Sequence, residues 1–193
     1  MTSPTSLVCI VGVYILLLSS VSNAYQICPG TGLTRDHLEI VIFEHTEMGT
    51  GGLVLNCPTP LTMERLCIPQ FQPYKELPLM LGCGIMDTDQ DDNSNLPLGD
   101  VAPWFWLHDL DDIPGSFVLE GAAGPLYMGG DIQEATKKLE QEHINPRNHF
   151  KFFRKYVIWE SGKLQQEMEQ GKWKVTAQDP VKALETVMLN IRM

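Results

Sequence analysis

Two histidines are the side chains whose type and placement best suit chemistry. His45 follows the apolar run Leu38–Phe43, and His108 ends the run Phe105-Trp106-Leu107-His108, so both stand at the ends of predicted strands, where pockets form. Glu44, Asn56 and Asp109 are their neighbours in sequence or in the adjoining strand. A histidine beside a carboxylate can serve as general base or ligand. A hydrolase built on His45 and His108 requires both imidazoles to converge on one cleft, with Asn56 or a carboxylate in reach. The plainer alternative has each histidine bonding the backbone and fixing a turn. The chain has no Gly-x-Ser-x-Gly elbow, His-Glu-x-x-His, phosphate loop or dinucleotide fingerprint. The reading therefore leans away from an enzyme, and no cofactor is implied.

The segment Asp87-Thr88-Asp89-Gln90-Asp91-Asp92-Asn93 offers oxygen ligands at alternate positions, as a calcium loop would. Such a loop needs Gly at its sixth position and Glu at its twelfth, and here those are Asp92 and Leu98. A solvated acidic insertion over about 86–103 is the expectation, with no metal. Cys28, Cys57, Cys67 and Cys83 allow three disulfide pairings but contain no Cys-x-x-Cys, so a zinc site has no spacing behind it. A thiol redox sensor requires two of the four to lie within about 7 Å between Cα atoms.

Four tryptophans supply candidate contact surfaces. Trp104 and Trp106 flank Phe105 in a strand, and with His108 they make the candidate partner-binding face. Trp159 and Trp173 flank a short helix and are expected to clamp it to a sheet. Gly162 would let that helix start close to the strand, and Glu167 would pair with Lys163 one turn earlier.

The 193 residues carry 14 Lys and Arg against 24 Asp and Glu, a net charge of −10, which argues against direct nucleic-acid binding. Leu7–Leu18 is an apolar run followed by Val21-Ser22-Asn23-Ala24, so residues 1–24 read as a signal or targeting peptide cleaved after Ala24. The run is shorter than the about 20 residues a spanning helix needs. Routing through the ER is expected, toward either secretion or a plastid, with no stable membrane span after cleavage.

Strands are predicted at Leu38–Phe43, Gly52–Leu55, Leu77–Leu81, Phe105–His108, Phe117–Leu119, Leu126–Met128 and Phe150–Ile158. The turn Glu47–Gly51 makes the first two a hairpin. Thr59-Pro60 reads as a helix start with Met63, Leu66 and Cys67 inward. Asp131 caps a second helix, with Glu134 completing a capping box and Ile132, Ala135 and Leu139 on its apolar face. Leu164 and Met168 share a third helix, and Asp179-Pro180 opens a last one with Val181, Leu184, Val187, Met188 and Ile191 inward. Connections too short for crossovers predict an α+β fold, a mixed, largely antiparallel sheet with a few flanking helices, in one domain over 25–193.

Gly52-Leu53-Val54-Leu55-Asn56-Cys57-Pro58, then Leu107-His108, then Trp159-Glu160-Ser161-Gly162-Lys163-Leu164-Gln165-Gln166-Glu167, occur in an order that resembles the AlgH/YqgE family over roughly residues 25–185. The positions that fall on the family pattern are His45, Gly52, Asn56, Pro58, Gly82, His108, Tyr156, Trp159, Gly162, Leu164, Glu167 and Trp173. The resemblance implies an AlgH-like fold. Some members are described as transcriptional regulators and the family has no established activity, so it implies a non-catalytic regulatory or adaptor role with an unknown protein or small-molecule partner. Lys155, Lys163 and Cys83 stand where the family has Gly, Gln and Gly, changes that would alter a shared pocket while leaving the apolar frame intact.

Overall fold

The computed structural model describes residues 27–66, 68–83 and 105–185. The expected leader at 1–24, Cys67, the acidic segment at 86–103, Trp104, Val187, Met188 and Ile191 lie outside the described residues.

Strands β1 (Thr31–Arg35), β2 (Leu38–Thr46) and β3 (Gly49–Val54) form a meander. β4 (Pro58–Thr62), β5 (Pro78–Met80), β6 (Phe105–His108), β7 (Ser116–Val118), β8 (Tyr127–Gly129) and β9 (Phe150–Phe153) follow, then β10 (Val157–Glu160) and β11 (Lys174–Ala177). They make two sheets, one in the order β10-β3-β2-β1-β11 and the other β4-β5-β9-β6-β8-β7. All strand pairs are antiparallel except β5 with β9. Helices α1 (Ile132–Glu142), α2 (Lys163–Glu169) and α3 (Pro180–Leu184) complete the α+β architecture, with single 3₁₀ segments at Met63–Leu66, Pro69–Tyr74 and Pro146–Asn148.

The two sheets pack face to face, which explains the uninterrupted apolar runs. Val41, Phe43, Leu53 and Leu55 of one sheet meet Met80, Leu107 and Phe153 of the other, closed by Leu119, Leu126 and Leu184. The outer face of the five-stranded sheet carries Leu33, Ile40, Ile42, Val54 and Trp159 and is covered by Leu164 and Met168 of α2. The outer face of the six-stranded sheet carries Leu79, Phe150 and Phe152 and is covered by Ile132, Ala135 and Leu139 of α1 with Phe71 and Tyr74. Central strands are thus buried on both faces, so period-two alternation disappears from their sequence.

Several expected elements differ. Phe150–Ile158 is not one strand: Phe150–Phe153 is buried in the second sheet, and Arg154–Tyr156 carries the chain across to the first. The helix expected from Thr59-Pro60 is instead strand β4 followed by one 3₁₀ turn. Pro60 has no N–H to give, and the Thr59 hydroxyl donates to the Leu79 carbonyl at 2.7 Å, so the side chain serves the β4–β5 ladder rather than a helix cap. Met63 is buried as expected. Asp131 does cap α1, accepting from the amides of Gln133 and Glu134, but Glu134 turns outward to Lys137 at 2.6 Å and completes no capping box. In α3 Ala183 and Leu184 are buried, while Val181 is 78% exposed because one turn cannot present both to the core.

Candidate functional site

The two histidines belong to different sheets and serve different neighbours. His45, exposed near the end of β2, places Nδ1 2.8 Å from the hydroxyl of Thr50 across the hairpin. His108 is fully buried between the rings of Tyr127 and Phe150, with centroids 5.5 and 5.4 Å away. Its Nε2 lies 3.0 Å from the Gly129 carbonyl and 3.1 Å from the Ser116 hydroxyl, so the proton sits on Nε2. Burial holds the ring below the usual histidine range, against the opposing pull of the Gly129 and Leu110 backbone and Asp109. Nδ1, the acceptor nitrogen of the neutral ring, is buried without a hydrogen-bond partner. A neutral, buried imidazole cannot meet a substrate with His45, and the hydrolase arrangement is absent.

The expected face of Trp104, Trp106 and His108 also changes. Trp104 lies outside the described residues, His108 is buried, and Trp106 is half-buried with its ring 6.2 Å from both Phe71 and Phe152. Trp106 packs against the core beneath α1.

A hollow opens instead at the free end of the β2–β3 hairpin. It encloses about 220 Å³ and is lined by Glu44, Thr46, Met48, Gly49, Thr50, Gly51, Tyr156 and Ile158. The register explains it. Glu44 and Ile158 both pair with Gly51, and Thr46 and Glu160 both pair with Gly49, so two rows of side chains flank a floor of two glycines. A Cβ on Gly51 would strike the ring of Phe43, and one on Gly49 would strike the Trp159 carbonyl. At the inner end Tyr156 meets Phe43 and Phe105 edge to face, at 5.8 and 5.1 Å. At the outer end Ile158 is 67% and Met48 87% exposed. Strand β10 terminates the sheet, and its outer edge is unpaired among the described residues.

The other pattern positions make packing and hydrogen-bond contacts within the fold. Asn56 accepts the Glu39 amide at 3.2 Å and donates to the His37 carbonyl, tying the exit of β3 to the β1–β2 turn. Gly52 packs beneath Ile40 and Trp159, Pro58 opens β4 opposite Met80, and Gly82 lies directly against the Lys155 carbonyl where the chain crosses between sheets. Gly162 precedes α2 at φ +71 with open space around its Cβ position, so it is there for its left-handed backbone and not for close approach. Leu164 is buried under α2. Glu167 does not turn to Lys163: its Oε2 accepts the indole N–H of Trp173 at 2.8 Å and of Trp159 at 3.3 Å.

Two features escaped the sequence reading. Lys151 is 4% exposed on the side of β9 facing the other sheet, its ammonium donating to the Leu55 carbonyl at 3.1 Å. A lysine within Phe150-Lys151-Phe152-Phe153 was the available signal. Asp109 pairs with His149 at 2.8 Å rather than with its neighbour His108. No hydroxyl or thiol joins that pair among the described residues, and it supplies no nucleophile.

Two packed, mainly antiparallel sheets with a helix on either outside define the class. The AlgH-like family pattern matches residues 37–189, and the chain belongs to that family. It is 30% identical over 141 residues to a UPF0301 protein of Bacteroides fragilis, covering 72% of this chain and 62% of that one. It is 31% identical over 158 residues to a UPF0301 protein of Bordetella avium, covering 78% and 70%. The chain thus spans about three-fifths of the length of the Bacteroides relative. Among solved structures, the AlgH protein of Pseudomonas aeruginosa matches with TM-score 0.51 and 18% identity over 82% of this chain and 81% of that one. A Corynebacterium diphtheriae protein matches with TM-score 0.53 and 18% identity over 81% and 79%. These two likenesses concern the fold. Among the described residues no helix is long and apolar enough to cross a membrane.

Proposed function

We propose that this chain acts without catalysis, as a regulatory or adaptor domain that holds an extended segment of a partner protein along the outer edge of β10. The observation that carries the reading is Ile158, exposed on an unpaired strand edge beside a hollow floored by glycine. An added strand would gain main-chain hydrogen bonds from β10 and specificity from one side chain seated in the hollow. Size favours this use: about 220 Å³ is below the roughly 300–1,000 Å³ of pockets that enclose a small molecule, and suits a single large side chain. Glu44 lines the hollow, Glu160 stands in the same row, and the chain carries −10 overall, so the segment pairs an apolar residue with a flanking Lys or Arg.

Selection from a displayed library of short peptides tests it. Selected sequences should be extended, apolar and basic, and should shift the amide resonances of Gly49–Gly51 and Val157–Glu160. Ile158→Glu should weaken binding at least about tenfold, or 1.4 kcal/mol. Val181→Glu, at another exposed apolar residue, should leave it unchanged. Shifts elsewhere, or equal binding by Ile158→Glu, would refute the reading.

A further inference from the structure

Cys57 and Cys83 stand on neighbouring chain segments at the crossing between the sheets. The Leu81 amide donates to the Cys57 carbonyl at 2.8 Å, and Pro58 pairs with Met80, so Cys57 lies opposite Leu81 in the β4–β5 register. Cys83 is two residues further on, in the turn that follows the end of β5. Both are half-buried thiols. From this geometry we propose that Cys57 and Cys83 form a reversible intrachain disulfide, closed by exchange with a low-molecular-weight disulfide such as oxidised glutathione.

A diagonal cross-strand pair starts about 7–8 Å apart, slightly beyond the span of a disulfide. Cys83 is not held at that strand spacing, because β5 ends at Met80 and the chain turns there; Gly82 is fixed by the Val54 amide and the Lys155 carbonyl, so the approach is made at Cys83 alone. The thiols already sense each other: after burial, a charge on Cys83 is the second influence pushing the Cys57 thiol up. In the reaction one cysteine thiolate attacks the small disulfide, forming a mixed disulfide and releasing one small thiol. The other cysteine then attacks the protein sulfur of that bond and expels the second small thiol. Two protein thiols are oxidised, one disulfide is reduced, and the two protons leave on the released thiols. Cys28, whose sulfur lies 3.6 Å from the Thr31 hydroxyl and beside Gly121, belongs to another part of the fold.

The bond would fasten the Cys57–Pro58 exit from β3 to the Gly82 turn, and Gly82 touches Lys155 next to Tyr156 of the hollow. The inference itself does not depend on what the hollow binds.

Each cysteine falls in its own tryptic peptide: Cys57 in 36–65, Cys67 in 66–75 and Cys83 in 76–137. The folded protein is equilibrated in glutathione buffers of graded ratio, quenched by alkylation, and mapped by mass spectrometry. The expected product links 36–65 to 76–137 within one chain, disappears on reduction, and persists in a Cys28→Ser, Cys67→Ser double variant. Cys57→Ser should leave a glutathione adduct on Cys83, and Cys83→Ser one on Cys57. Separate alkylation of both cysteines at every ratio, a link between chains only, or a link from either one to Cys67 would overturn the proposal.

Discussion

Trp159 and Trp173 meet edge to face with ring centroids 5.9 Å apart, and both indole N–H groups donate to the same carboxylate oxygen of Glu167. One acceptor thus fixes β10, α2 and the approach to β11 against one another. Burial works against the charge on Glu167, yet the Trp173 and Trp159 donors and nearby lysines hold its carboxyl below the usual range. Its stabilisation is present above the ordinary carboxylate pKa and is lost as pH falls through the lowered folded value.

Glu167→Gln removes the charge from both hydrogen bonds. A loss of about 1.5–3 kcal/mol is expected, read from urea unfolding followed by tryptophan emission. An unchanged midpoint would show that the rings hold α2 through packing alone.

Burial pushes the Lys151 ammonium down to about 8 from 10.5, with Glu39 and Glu185 pulling the other way. The unfolded chain binds more protons in the interval from 8 to 10.5, so stability should rise with pH across it. Lys151→Met removes a buried ammonium that donates to the Leu55 carbonyl and should raise stability at neutral pH by roughly 1–3 kcal/mol while flattening that rise. Calorimetry of both proteins across the interval decides it; a destabilised variant would mean that the Leu55 contact outweighs the cost of burying the charge.

His108 carries the opposite limb. Its folded pKa is lowered and its unfolded value is near 6.5, so stability should fall as pH drops below that point, by at most about 1.4 kcal/mol per pH unit. In His108→Phe the slope between pH 7 and pH 5.5 should shrink, whatever the variant's absolute stability. An identical slope would assign the acid sensitivity to other groups.

Gly82 and Gly162 separate two uses of glycine. An added Cβ at Gly82 collides with the Lys155 backbone, and nothing flexible can yield, so Gly82→Ala should cost about 3 kcal/mol or more. Gly162→Ala meets open space and pays for its left-handed backbone alone, about 1–2 kcal/mol. Thermal unfolding of the two variants should preserve that order.

Much of the fold was legible where local chemistry dominates. The β2–β3 hairpin, the Asp131 cap, the paired Leu164 and Met168 and the tryptophan clamp all follow from spacing within a few residues. What was not legible depends on distant partners. β1 and β11 were missed because Thr31–Arg35 and Lys174–Ala177 become strands by pairing with each other across the chain. The second sheet was hidden because Ile40–Phe43 and Phe150–Phe153, buried on both faces, look the same in any two-sided packing. His108 lost its role to that burial, whereas the hollow depends on a register that sets Gly49 and Gly51 between β2 and β10.

The order of strands in the first sheet also bears on how the molecule is made. β2 and β3 are flanked by β10 and by β1, and β1 in turn needs β11, so Thr31 waits for Ala177 before its ladder is complete. During synthesis the meander leaves the ribosome with both faces bare and both edges open, and closing so long a loop is slow. The six-stranded sheet, drawn entirely from the middle of the chain, can assemble first and shelter Val41, Phe43, Leu53 and Leu55 until the last strands arrive. The late stretch Val157–Ala177 therefore acts as the clasp that ends the chain's exposure to aggregation.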